Sequence, residues 1–112
     1  MNDASSFERR RAVRINVVIP VEVRDAHGFS LHSSSNLSLG GVHFDRAIPH
    51  QLGTQVELLF KLPGAERTLI CAGEVVNVPD AHAYGMGIRF LRLTPEDETM
   101  IDDFIRSREG RR

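Results

Sequence analysis

The chain has 112 residues, enough for one domain with its own core, and at 41% hydrophobic content it is globular in composition and far from a membrane protein. Its formal net charge of −1 excludes a global positive field of the kind that draws duplex DNA, so any anion binding must be local. A single cysteine, Cys71, excludes an internal disulfide and fits a reducing compartment.

The first six residues carry no apolar stretch, so no signal peptide is expected, and no run approaches the roughly 20 apolar residues of a membrane helix. The composition predicts a cytoplasmic protein with no membrane insertion. Residues 1–8 read as a disordered leader, residues 9–108 as the folded domain and 109–112 as a frayed tail. Arg9-Arg10-Arg11-Ala12-Val13-Arg14 then places four arginines in six positions. The bias extends to the whole chain, whose basic residues are all arginine except Lys61. Arginine offers a planar fork of donors that grips phosphate and stacks on flat rings, whereas lysine is a flexible point charge. A solvated tail and a local anion grip both fit this tract by itself.

Residues 13–23 alternate. Val13, Ile15, Val17, Ile19, Val21 and Val23 share one face and Arg14, Asn16, Glu22 and Arg24 the other, which predicts a half-buried strand. Pro20 on the outer face predicts an edge or a bulge. Asp25-Ala26-His27-Gly28 is a turn signal, and a second strand follows with Phe29, Leu31, Leu37 and Leu39 in one phase. A hairpin about that turn pairs residues whose numbers sum to roughly 52–53. Asn16 then faces Asn36, and Arg14 faces Ser38.

Asn36-Leu37-Ser38-Leu39-Gly40-Gly41 ends the second strand. Asn and Ser bond to nearby backbone, and paired glycines permit positive φ and close approach of a ligand. The stretch is either an ordinary bulged turn or a nest of backbone N–H groups for an anion. Further strands are predicted at Val42–Phe44, Val56–Leu62, Leu69–Val78 and Tyr84–Phe90, with turns at Pro63-Gly64 and Pro79–His82. The fifth, apolar on both faces in part, reads as central or bulged. Thr94-Pro95-Glu96-Asp97 opens a helix, with Thr94 as N-cap, Pro95 in the first helical position and acids in the first turn. Met100, Ile101, Phe104 and Ile105 give it an apolar stripe. Cys71 lies in an apolar run and reads as a core residue.

Two motifs together resemble the PilZ domain family: Arg10-Arg11-Ala12-Val13-Arg14, of the form RRxxR, and Asn36-Leu37-Ser38-Leu39-Gly40-Gly41, of the form (D/N)xSxxG, on a strand pattern closing with Gly87-Ile88-Arg89-Phe90. The resemblance covers about residues 7–106. It implies a six-stranded antiparallel β-barrel with a C-terminal helix, and a receptor for the bacterial second messenger cyclic di-GMP. Carried over by position, it implies that Arg10, Arg11 and Arg14 contact guanine and phosphate on a flexible segment that wraps the ligand. Asn36, Ser38 and Gly41 would hold the nucleotide's other side, with Arg9 and Gly40 as further candidates. Asn36 stands where many members have Asp, which removes a carboxylate that could accept from guanine. The ligand's chemistry agrees, since arginine pairs with phosphate and with the O6/N7 edge of guanine.

Three rival readings remain. Catalysis is not expected, because His27, His32, His43, His50 and His82 are scattered without metal-ligand spacing and no nucleophile motif is present. No catalytic residue, metal or cofactor is therefore assigned. A DNA- or RNA-binding barrel is not expected either, given the net charge, the lack of Trp and a single Tyr for stacking. A PilZ scaffold that binds no nucleotide and acts through protein contacts is the third. The downstream partner and the oligomeric state are not encoded in any motif.

Overall fold

The alternating Val/Ile run builds one long strand that bends, and the bend organises the molecule. The computed structural model describes residues 11, 13–46, 50–77 and 85–109. Val17, Ile19, Val21 and Val23 all point into the core, each 8% exposed or less. The run forms two strands, β1 (Ile15–Asn16) and β2 (Pro20–Asp25). Its hairpin partner forms β3 (Gly28–Ser33) and β4 (Asn36–Leu37). At the turn, the Asp25 carboxylate accepts from the His27 N–H at 2.8 Å.

The pairing register is Pro20 with Ser33 through Asp25 with Gly28, then Ile15 with Leu37 and Asn16 with Asn36. The first strand thus gains one residue at the bend, a bulge that turns Val18 outward at 74% exposure. Across it the hairpin stays bonded, Val17 N–H to Ser35 O at 3.2 Å and Ser34 N–H to Ile19 O at 2.9 Å. The buried Ser34 hydroxyl staples the inside of the bend. It accepts from Ile19 N–H at 2.9 Å and donates to Val17 O at 2.6 Å. A polar side chain in the core is therefore satisfied, and it meets two backbone groups that the bulge would otherwise strand.

The remaining strands are β5 (Gly41–Phe44), β6 (Gln55–Phe60), β7 (Leu69–Asn77) and β8 (Met86–Arg92). All eight form one antiparallel sheet in the order β1-β4-β5-β8-β7-β6-β2-β3, curled into a half-barrel. The six predicted extended stretches are present, and the bend splits two of them. Because β1 and β2 are one chain run, and β3 and β4 another, the same hairpin stands at both ends of the sheet. The phase of the second stretch changes at the bend. Leu37 and Leu39 are buried as expected, whereas Phe29 and Leu31 face outward at 67% and 68% exposure. The residues that pair with inward Val21 and Val23 are His32 and Ser30, so the apolar pair must lie outside. Tyr84 and the predicted turn at Pro79–His82 lie outside the described residues.

The core is filled by Phe44, Leu58, Leu69, Val75 and Met86, with Phe60 and Phe90 stacked at 6.0 Å. Cys71 is part of it. Burial, reinforced by the charges of Asp97 and Glu57, pushes its thiol up to about 12, so it packs as a small inert side chain. The helix α1 (Pro95–Glu109) seals this core with Ile101 and Ile105, both fully buried. It includes Glu109, which the sequence suggested for the tail. Thr94 caps it, its hydroxyl accepting from Asp97 N–H at 3.1 Å. Asp97 is itself buried and accepts from Arg67 at 2.7 Å, tying the helix start to the β6–β7 connection.

Candidate functional site

The short limb of the bent hairpin, β1 with β4, carries the polar residues that the motifs picked out. Asn36 pairs with Asn16, which brings strand one's polar face beside Asn36. The Arg14 guanidinium donates from Nη1 to Asn36 Oδ1 at 3.0 Å, so the two motifs are in direct contact. That bond is exposed and fixes the direction of a flexible side chain more than it stabilises the fold.

After β4 the chain turns through Ser38, Leu39 and Gly40 into β5. Ser38 N–H donates to Gly41 O at 2.9 Å, closing the turn. The buried Ser38 hydroxyl accepts from Gly40 N–H at 3.1 Å and from Gly41 N–H at 3.2 Å. These are the amides that an anion nest would need, and in this conformation the serine already holds them. The glycines are not required for positive φ, which neither of them adopts. Gly41 is required for space, because a Cβ there would sit 2.2 Å from the carbonyl oxygen of Ile88. Phe90 N–H donates to Gly40 O at 2.9 Å and completes the clamp of this turn on β8.

Above the turn lies a cavity of about 250 Å³ lined by Arg11, Arg14, Ser38, Gly40, Gly41 and, from other strands, His43, Val76 and Arg89. Asn36 stands behind Arg14. Arg9 and Arg10 lie outside the described residues. Sequence reasoning did not assign His43, Val76 or Arg89 to the site. Val76 is half-exposed at the register shift between Val75 and Asn77, and the doubly apolar look of this stretch was its trace. Arg89 pairs with Gly41 on one side and Glu74 on the other, and its Nη2 lies 2.5 Å from Glu74 Oε1. His43 lies 3.5 Å from Asp45 through its Nε2.

Three guanidinium groups around an open concavity suit an anion with flat rings, by bidentate pairing and by stacking. The volume falls just below the roughly 300–1,000 Å³ of drug-sized pockets, so it fits part of a nucleotide rather than a whole dinucleotide. Among the described residues no three His, Cys, Asp or Glu side chains gather into a metal-binding group, and no helix is long and apolar enough to cross a membrane.

The sequence model of the PilZ domain matches residues 8–107. No curated protein matches the chain in sequence. Among solved structures, the inhibitor of motility MotI/DgrA of Bacillus subtilis superposes with a TM-score of 0.76 at 23% identity, covering 93% of this chain and 53% of that one. The PilZ domain with c-di-GMP of YcgR from Escherichia coli gives 0.70 at 22% identity, covering 92% and 95%. The PilZ domain of CeSA from a cellulose-synthesizing bacterium gives 0.66 at 22% identity, covering 88% and 100%. The chain thus spans about half of MotI and nearly all of the YcgR and CeSA domains. At these identities the likeness is one of fold.

Proposed function

Because this chain belongs to the PilZ domain family, we propose that it is a bacterial cytoplasmic receptor for cyclic di-GMP that passes the signal to a partner protein. Arg10, Arg11 and Arg14 grip phosphate and guanine, while Ser38 and Gly41 meet the ligand from the turn and Asn36 meets it beside the Arg14 it holds. The observation that carries this reading is the contact of Arg14 with Asn36 at the rim of the cavity, which joins the arginine motif to the turn motif. The likeness in fold to a YcgR domain solved with c-di-GMP supports it. Ligand wrapped by the arginine segment orders that segment and creates a new surface for the partner. The protein acts by binding and is not an enzyme.

Calorimetry with cyclic di-GMP on the parent and on Arg14→Lys tests this. The substitution keeps the charge and removes the fork and its flat face. Parent protein is expected to bind and the variant to bind at least about tenfold more weakly, roughly 1.4 kcal/mol. Melting without ligand should move little, because Arg14 is exposed. Equal affinities would reduce Arg14 to a point charge. A folded parent that binds nothing would make the chain a non-binding PilZ scaffold.

A further inference from the structure

Arg89 belongs to neither motif, yet its side chain shares the cavity wall with Arg11 and Arg14. Its place is set by three adjacent strands, on which Gly41, Arg89 and Glu74 stand side by side. On the Gly41 side there is no side chain, which leaves the guanidinium open to the cavity. On the other side Glu74, about half as exposed as Arg89, meets Nη2 at 2.5 Å and gives the group a fixed direction. One carboxylate oxygen occupies one of five N–H donors, so the fork keeps donors for a second anion. The next arginine on the strand, Arg92, pairs with Ala72 and lies outside the cavity.

Resting on the cyclic di-GMP reading, we propose that Arg89 is a further arginine arm of the site, aligned by Glu74, that bonds a phosphate oxygen of the ligand. It approaches from β8, the strand clamped to the turn at Gly40 and Gly41, and so engages the ligand from a regular ladder. Arg11 and Arg14 line the same cavity from the start of the chain.

The test compares Arg89→Ala with Arg92→Ala by calorimetry with cyclic di-GMP at fixed salt. Both remove one positive charge from β8, and only the first removes it from the cavity. Arg89→Ala should weaken binding about tenfold, the scale of a lost charge-assisted bond. Arg92→Ala should stay within about twofold, with both folds confirmed by melting. Equal losses would overturn the proposal, since Arg89 would then count only as net charge. If the parent ignores cyclic di-GMP, the receptor reading fails by itself. A second arm then decides the role of Arg89: NMR of arginine side-chain Nε–H groups during titration with 5′-GMP and with inorganic phosphate. A saturable shift at Arg89 and none at Arg92 is expected, and an unmoved Arg89 overturns the inference.

Discussion

One hairpin does two jobs in this molecule, and its two limbs are built differently. The limb of β2 and β3 is held by six cross-strand pairs and continues into β6. The limb of β1 and β4 has two pairs and carries Asn36 beside Arg14. Regular pairing over a Val/Ile face stabilises the first limb. The second ends at the Ser38–Gly40 turn, through which the chain enters β5 and pairs with β8. The lesson is that polar groups free to meet a ligand come from the limb that invests least in its own ladder, as local stability and binding draw on the same backbone groups.

The sharpest way to break the comparison is Gly41→Val. A Cβ 2.2 Å from a backbone oxygen cannot be absorbed by a rotamer change, so β5 must part from β8. Overpacking of this kind costs about 3 kcal/mol or more, read by denaturant unfolding. Gly40→Ala should be nearly silent, because its Cβ would make only ordinary contacts at 3.6 and 3.7 Å. Equal losses at the two glycines would contradict the clamp on β8.

Ser34→Ala comes next, because it acts where the limbs join. It leaves Ile19 N–H and Val17 O without their buried partner, at about 2–3 kcal/mol. Amide exchange should rise more in β1 and β4 than in β2 and β3, which keep their own ladder. Uniform acceleration along the hairpin would mean that the limbs are one cooperative unit.

The smallest effect probes the long limb. Burial, and then the charge of nearby His50, hold the His32 imidazole below its ordinary value of 6.5, while its Nε2 lies 2.8 Å from Ser30 Oγ and its ring packs on Phe44. The neighbouring His50 is in turn 3.1 Å from Asp25. A depressed histidine favours the folded state while neutral. Its contribution is complete above about pH 6.5 and is lost as pH falls below that value toward the folded pKa. Melting temperatures between pH 7.5 and 5 should fall more steeply for the parent than for His32→Gln. Parallel slopes would assign the acid sensitivity to other groups.

Much of this was legible in the chain. Period-two apolar alternation marks the strands, Thr94-Pro95 marks the helix start, and the turn at Ala26-His27 sets the register that the bulge then shifts by one residue to bring Asn16 against Asn36. The bend was harder to see, since Ser34 reads as one polar residue among several and only its buried partners reveal it as a staple. The positive φ expected of the glycines is absent, and the close approach of Gly41 to Ile88 depends on a strand that lies far off in sequence. Arg89 was hidden for the same reason. An outward arginine on a strand looks like solvent-facing charge until the sheet order sets it beside Gly41.

The pairing of Gly41 with Arg89 also bears on how the chain acquires its shape. The hairpin at Ala26-His27 closes a minimal loop, and such contacts form early and with little loss of chain entropy. One of the two partners of β5 is β4, made just before it, but the other, β8, is synthesised much later, so this contact closes one of the longest loops in the sheet. Slow, non-local closure of that kind governs the folding rate of sheet proteins. The cavity therefore exists only once β8 has been made and paired, and a nascent or half-folded copy carries the arginines without the wall they need.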